Sequence, residues 1–130
     1  MNSIARAAAY QDMATKSIVM GATKHELVAL LFEELENSLK AAEFFADHQQ
    51  VGDMRKSLTK ASQILAGLQG SLDFDKGGEI ATSLGELYRF CILKLFKANA
   101  SADKEMINTV RGLLTPIQRA WNDMPEIHKG

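Results

Sequence analysis

The sequence predicts an all-α protein, an antiparallel up-and-down four-helix bundle preceded by a short N-terminal flap. Three observations carry that expectation. Apolar residues recur at three- and four-residue spacing in four successive segments, the period of an amphipathic helix. Strand signals are absent: no run alternates, and no Asn-Gly or Asp-Gly hairpin turn occurs. Finally, the segments are joined by short turns, and one-sided helices so joined bury their stripes only against one another.

Composition narrows the function classes. A chain of 130 residues suits one domain with its own core, and an apolar share of 46% argues against a wholly disordered chain. The 15 basic and 16 acidic residues interleave to a net charge of −1, which leaves no basic face for nucleic acid. No run approaches the ~18–20 apolar residues of a membrane span. The opening MNSIARAAAYQDM has one arginine and no sustained apolar core. It makes a poor secretory signal, so the expected location is the cytoplasm. The single cysteine, Cys91, falls on a core stripe and reads as a small buried hydrophobe.

Residues 1–22 are weakly patterned. Ile4, Ala7, Ala8 and Tyr10 line one side of a short helix if one forms, but so short a segment is marginal alone. Two readings stay open: a frayed terminus, or a detachable flap whose Ile4, Ala7 and Tyr10 rest on apolar surface elsewhere. The bundle is expected over 23–124, and 125–130 is a polar tail.

The first long helix opens on Thr23, with Glu26 completing a capping box. Leu27, Leu31, Leu35, Ala42 and Phe45 follow at helical spacing, with Val28 and Leu39 alongside. Leu30 and Phe44 fall on the far side, and Glu33, Glu34 and Glu36 read as a solvated edge. After a turn at Asp47–Gly52, Asp53 is the expected cap of the second helix. Its stripe is Met54, Leu58, Ala61, Leu65, Leu68 and Leu72. Ile64, Gly67 and Ser71 lie on its outer side, where Gly67 serves close packing or is merely tolerated near a helix end.

The corner Asp73–Gly78 fails as a calcium loop, because Gly77 and Leu84 occupy the fifth and twelfth ligand positions. Nor does Lys76-Gly77-Gly78 fit a phosphate loop. The corner is therefore mechanical. Gly77 and Gly78 allow a sharp turn, Asp75 or Gly78 caps, and Glu79 sits at the positive end of the third helix.

That third helix is the anomaly. Ile80, Leu84, Leu87, Tyr88, Cys91, Leu95 and Ala98 form its core stripe, yet Phe90, Ile92, Leu93 and Phe96 fall outside it. From Phe90 to Phe96 the helix is apolar nearly all round, broken by Lys94. A helix of that kind is normally covered on every side, and a small chain has little material for the task. In the fourth helix Asp103 caps, and Met106, Val110, Leu113, Leu114, Ile117, Trp121 and Met124 make one stripe. Pro116 crowds the carbonyl of Gly112, which predicts a bend rather than an end.

Catalytic signals are thin. His25, His48 and His128 fall in a first helical turn, a loop and the tail, and no HExxH or paired Glu-x-x-His is present. No catalytic, metal-binding or cofactor-binding residue is expected. The surplus apolar surface instead suggests a groove for a partner segment. The expected client-binding residues are Leu30, Phe32, Phe44, Ile64, Gly67, Phe90, Ile92, Leu93 and Phe96.

These residues also carry a family resemblance. Ser71-Leu72-Asp73, then Lys76-Gly77-Gly78-Glu79-Ile80-Ala81, Leu84, Leu87-Tyr88 and Ala98-Asn99 resemble the flagellin-specific export chaperones (FliS). Ala22-Thr23-Lys24-His25-Glu26-Leu27-Val28 and the closing Ala120-Trp121 fit the same family, so the likeness runs from about Tyr10 to Trp121. Two departures stand out. Lys24 replaces a common proline, and Phe32-Glu33-Glu34 replaces a common Tyr-Asp-Gly, losing any contact made through that phenol. The resemblance implies a cytoplasmic chaperone that is monomeric without its client. It would bind the disordered C-terminal region of flagellin, prevent premature polymerisation and deliver it to the flagellar type III export gate. It also implies that the segment near Tyr10 covers part of the binding surface until flagellin displaces it. The alternatives are a self-associating structural bundle, and a bundle enzyme or phosphotransfer module using His25 or the acidic edge at Glu33, Glu34 and Glu36.

Overall fold

The computed structural model describes residues 23–124, which form four helices and no strands. We label them α1 (Lys24–Asp47), α2 (Val51–Gly70), α3 (Phe74–Ser101) and α4 (Lys104–Asp123). Each packs on the next, and α4 returns to α1, closing a ring with α3 diagonally across from α1. With connections of only two or three residues, successive helices run antiparallel. Both flanking stretches, and with them the expected flap residues Ile4, Ala7 and Tyr10, lie outside the described residues.

The caps explain the boundaries, and two differ from expectation. At α1 the capping box forms in full. Glu26 N–H donates to Thr23 Oγ1 at 3.1 Å, while Thr23 N–H donates to Glu26 Oε1 at 3.0 Å. The hydrogen bond from the Thr23 backbone N–H is the main cause that holds the Glu26 carboxyl below its usual range. Asp103 caps α4 as expected, accepting from Met106 N–H at 3.2 Å. Asp53, however, does not cap α2. That helix starts two residues earlier, at Val51, which packs against the core, with Gln50 as its uncapped boundary. At the corner, neither Asp75 nor Gly78 is the cap. Asp73 accepts from Lys76 N–H at 3.0 Å, and Asp75 falls inside the first turn.

Gly78 then interrupts the helix at φ 51°, ψ −126°, a conformation essentially restricted to glycine. Its neighbour Gly77 is constrained differently, since a Cβ there would lie 2.8 Å from that of Ala81. One turn of helix therefore swivels about Gly78 before α3 proper begins. In α4, the helix continues through Pro116 rather than ending there.

The core is built from Leu31, Leu35, Leu39, Met54, Leu58, Leu65, Cys91, Leu95, Ile107 and Val110, all essentially sealed. Several stripe assignments shift. Ile80 is 74% exposed, because it stands just past the Gly78 break, and Ala81 and Gly85 take the inward positions. On α4 the inward line is Ile107, Val110 and Leu114, while Met106 is half-buried and Leu113 and Met124 are exposed. Across the α1–α4 side, Arg111 Nε stands 2.9 Å from Glu43 Oε2, a charge contact outside hydrogen-bonding geometry.

Candidate client-binding surface

The second half of α3 is held in rotation by Tyr88, Cys91, Leu95 and Ala98, which are all buried. Burial pushes the Cys91 thiol up to about 11 and the Tyr88 phenol up to about 12. Both groups are therefore neutral packing elements at physiological pH. With that side fixed, Phe90, Leu93 and Phe96 project outward at three-residue steps, 44%, 54% and 75% exposed. Lys94 lies over the Phe90 ring at 5.3 Å, a cation–π contact of about 0.5–1 kcal/mol at an exposed site.

Beside this row, α2 and α3 part to leave a groove of about 330 Å³. Ile92, Leu95 and Phe96 form its apolar wall, Thr59, Ser62 and Gln63 of α2 its polar one. The interhelical bond of Arg55 Nε to Asn99 O at 3.4 Å stands at one end. Further along, Gln69 Nε2 donates to Gly85 O at 3.2 Å and ties the helices together. An exposed apolar rim over a mainly apolar cleft with one polar wall fits an amphipathic segment better than a small molecule.

The expected site residues do not form one surface. Phe90, Leu93 and Phe96 are contiguous on α3, with Ile92 half-buried at the groove. Leu30 and Phe44 are exposed, but on α1, across the ring and about 21 Å apart along their own helix. Phe44 stacks on His48 at 4.1 Å rather than facing α3. Three of the expected residues, Phe32, Ile64 and Gly67, are buried rather than exposed. Phe32 and Ile64 belong to the core cluster, because α1 and α2 each have packed neighbours on two sides. The groove's polar wall was not anticipated. Its sequence signal was the pair Thr59 and Ser62 at i, i+3 on the side of α2 beside its leucine stripe.

His25 does not stand free for phosphotransfer. Its ring stacks on Trp121 at 5.3 Å, and Trp121 Nε1–H donates to His25 O at 3.1 Å. The pair fastens the start of α1 to the end of α4. Among the described residues no group of three or more His, Cys, Asp or Glu side chains is placed to hold a metal, and no helix is long and apolar enough to cross a membrane.

The fold and this surface together define a helical bundle carrying an exposed apolar row on α3. Comparison with known proteins gives the family. Residues 6–128 match the family described as flagellar protein FliS. The chain is 39% identical over 117 residues to the flagellar secretion chaperone FliS of Salmonella typhimurium, covering 89% of this chain and 87% of that one. It is 33% identical to the FliS of Escherichia coli (88% and 85% covered) and 31% identical to FliSB of Pseudomonas aeruginosa (87% and 90% covered). The chain belongs to the FliS family of flagellar secretion chaperones, whose role is export chaperoning, which is not an enzyme class.

Proposed function

We propose that this chain binds the disordered C-terminal region of flagellin in the bacterial cytosol. It keeps that region from polymerising and hands it to a gate component of the flagellar type III export apparatus. The observation that carries this reading is the row Phe90, Leu93 and Phe96, exposed on a helix whose opposite side is fully packed. Full burial of one such side chain contributes about 1.5–3 kcal/mol, which a client must supply against the entropy of its own ordering. Binding needs no ATP, and release comes from competition at the export apparatus. Residues 1–22, through Ile4, Ala7 and Tyr10, cover part of the surface until the client displaces them.

Calorimetry with a flagellin C-terminal peptide tests the reading. Saturable binding of one peptide per chain, with negative ΔCp, is expected; no heat and no spectral change at high peptide concentration would contradict it. Light scattering over a range of concentrations should return a monomer, whereas mass rising with concentration favours the self-associating bundle. Deleting residues 1–12 should leave the peptide affinity unchanged or tighter. A large loss would refute the flap.

A further inference from the structure

Charge interleaves along the chain as a whole but not around the α2–α3 groove. Residues 54–72 contain Arg55, Lys56 and Lys60 and no acid, and residues 87–102 contain Arg89, Lys94 and Lys97 and no acid. These stretches supply the residues that line the cleft. Lys60 is neutralised by Glu34 of α1 at 2.8 Å. Among the described residues the other five cations have no carboxylate within ion-pair distance. On the opposite side of the ring, α1 carries six acids (Glu26, Glu33, Glu34, Glu36, Glu43, Asp47) against Lys24 and Lys40. Counted whole, α3 carries Lys76, Arg89, Lys94 and Lys97 against Asp75, Glu79 and Glu86, so its excess of cations is confined to the second half, the part that carries the exposed apolar row.

Helical register places the cations along the cleft. Arg55 touches Asn99 and Lys56 follows it on the outer side of α2, while Arg89 sits one turn before Leu93 on α3 and Lys97 next to Phe96. A segment seated against Ile92 and Phe96 would therefore carry its flanking residues past positive charge on both rims. We infer that the segment recognised in this groove is an acidic amphipathic polypeptide, with apolar residues at helical spacing flanked by Asp or Glu. The inference rests on the client-binding reading of the α3 face and adds the charge of what is bound. Like-charged flanks would be repelled at those rims, so the groove selects among partners as well as holding one.

Three fluorescent peptides of equal length test this on the full chain. Two are designed helices with the same leucine pattern, one with Glu and one with Lys at the flanking positions; the third is the flagellin C-terminal peptide. The Glu peptide should bind at least about tenfold tighter than the Lys peptide, as two to three exposed ion pairs allow. The preference should shrink in high salt. The exposed double variant Lys56→Glu/Lys97→Glu should reverse it with the helical spectrum unchanged. Equal binding of the two designed peptides, or none by either, overturns the inference. So does a Glu peptide that binds with its affinity untouched by the charge reversal. Failure of the flagellin peptide alone, with the Glu preference intact, would strike the proposed client and leave the groove's selectivity standing. Binding of the flagellin peptide without any charge preference would do the opposite.

Discussion

Two short runs of similar oiliness meet opposite fates in this molecule. In Leu27-Val28-Ala29-Leu30-Leu31-Phe32, four of the six residues are buried, Ala29 is half-buried and only Leu30 is exposed. In Phe90-Cys91-Ile92-Leu93-Lys94-Leu95-Phe96 only Cys91 and Leu95 are buried, and the rest lie at or near the surface. The difference lies in coverage. α1 packs extensively on α2 and also on α4, so a wide arc of it is sealed, whereas the α3–α4 contact is the thinnest of the four and the α2–α3 contact opens into a groove. Apolar content shows that a helix needs covering; the arrangement of neighbours decides whether the chain does it alone.

The largest expected effect contrasts the two runs directly. Leu31→Ala should cost about 2–5 kcal/mol of stability in urea unfolding, because the cavity it leaves is closed on all sides. Phe96→Ala should change stability by less than about 0.5 kcal/mol. Equal losses would break the comparison. Next comes the corner that aims α3. Gly78→Ala should cost about 1–3 kcal/mol, since alanine has no comfortable place at φ 51°, ψ −126°. A neutral result by thermal melting would mean the corner relaxes freely.

Thr23→Ala should cost about 1 kcal/mol by breaking the capping box on the sealed helix. The subtlest effect is with pH. Burial raises the Cys91 thiol to about 11 and the Tyr88 phenol to about 12, so the folded state holds both protons after the unfolded chain has released them. Their contribution is complete below the unfolded values of 9.0 and 10.0 and is lost as pH rises above them. Urea midpoints should therefore fall above about pH 9, and less steeply in Tyr88→Phe.

Much of this was legible in the sequence. Four periodic segments and the caps at Thr23 and Asp103 were read correctly because helix period and capping are local properties. What escaped depends on neighbours. Ile80 satisfied the α3 stripe by spacing, but the Gly78 swivel takes it away from the core. Ile64 read as outer because a stripe describes one side of a helix, whereas α2 has two packed flanks. Asp53 had the chemistry of a cap, yet the helix starts before it, at Val51, which packs against the core. On the candidate surface, spacing alone singled out Phe90, Leu93 and Phe96. It could not show that Leu30 and Phe44 belong to the far side of the ring, nor that Thr59 and Ser62 form a groove wall.

The measurement that bears most directly on the account is paired calorimetry and urea unfolding of Phe96→Asp. An aspartate on the outward row should abolish binding of the flagellin C-terminal peptide while the unfolding midpoint stays within about 0.5 kcal/mol of the parent. Undiminished peptide affinity in a normally folded variant would mean that this face is not where the client sits.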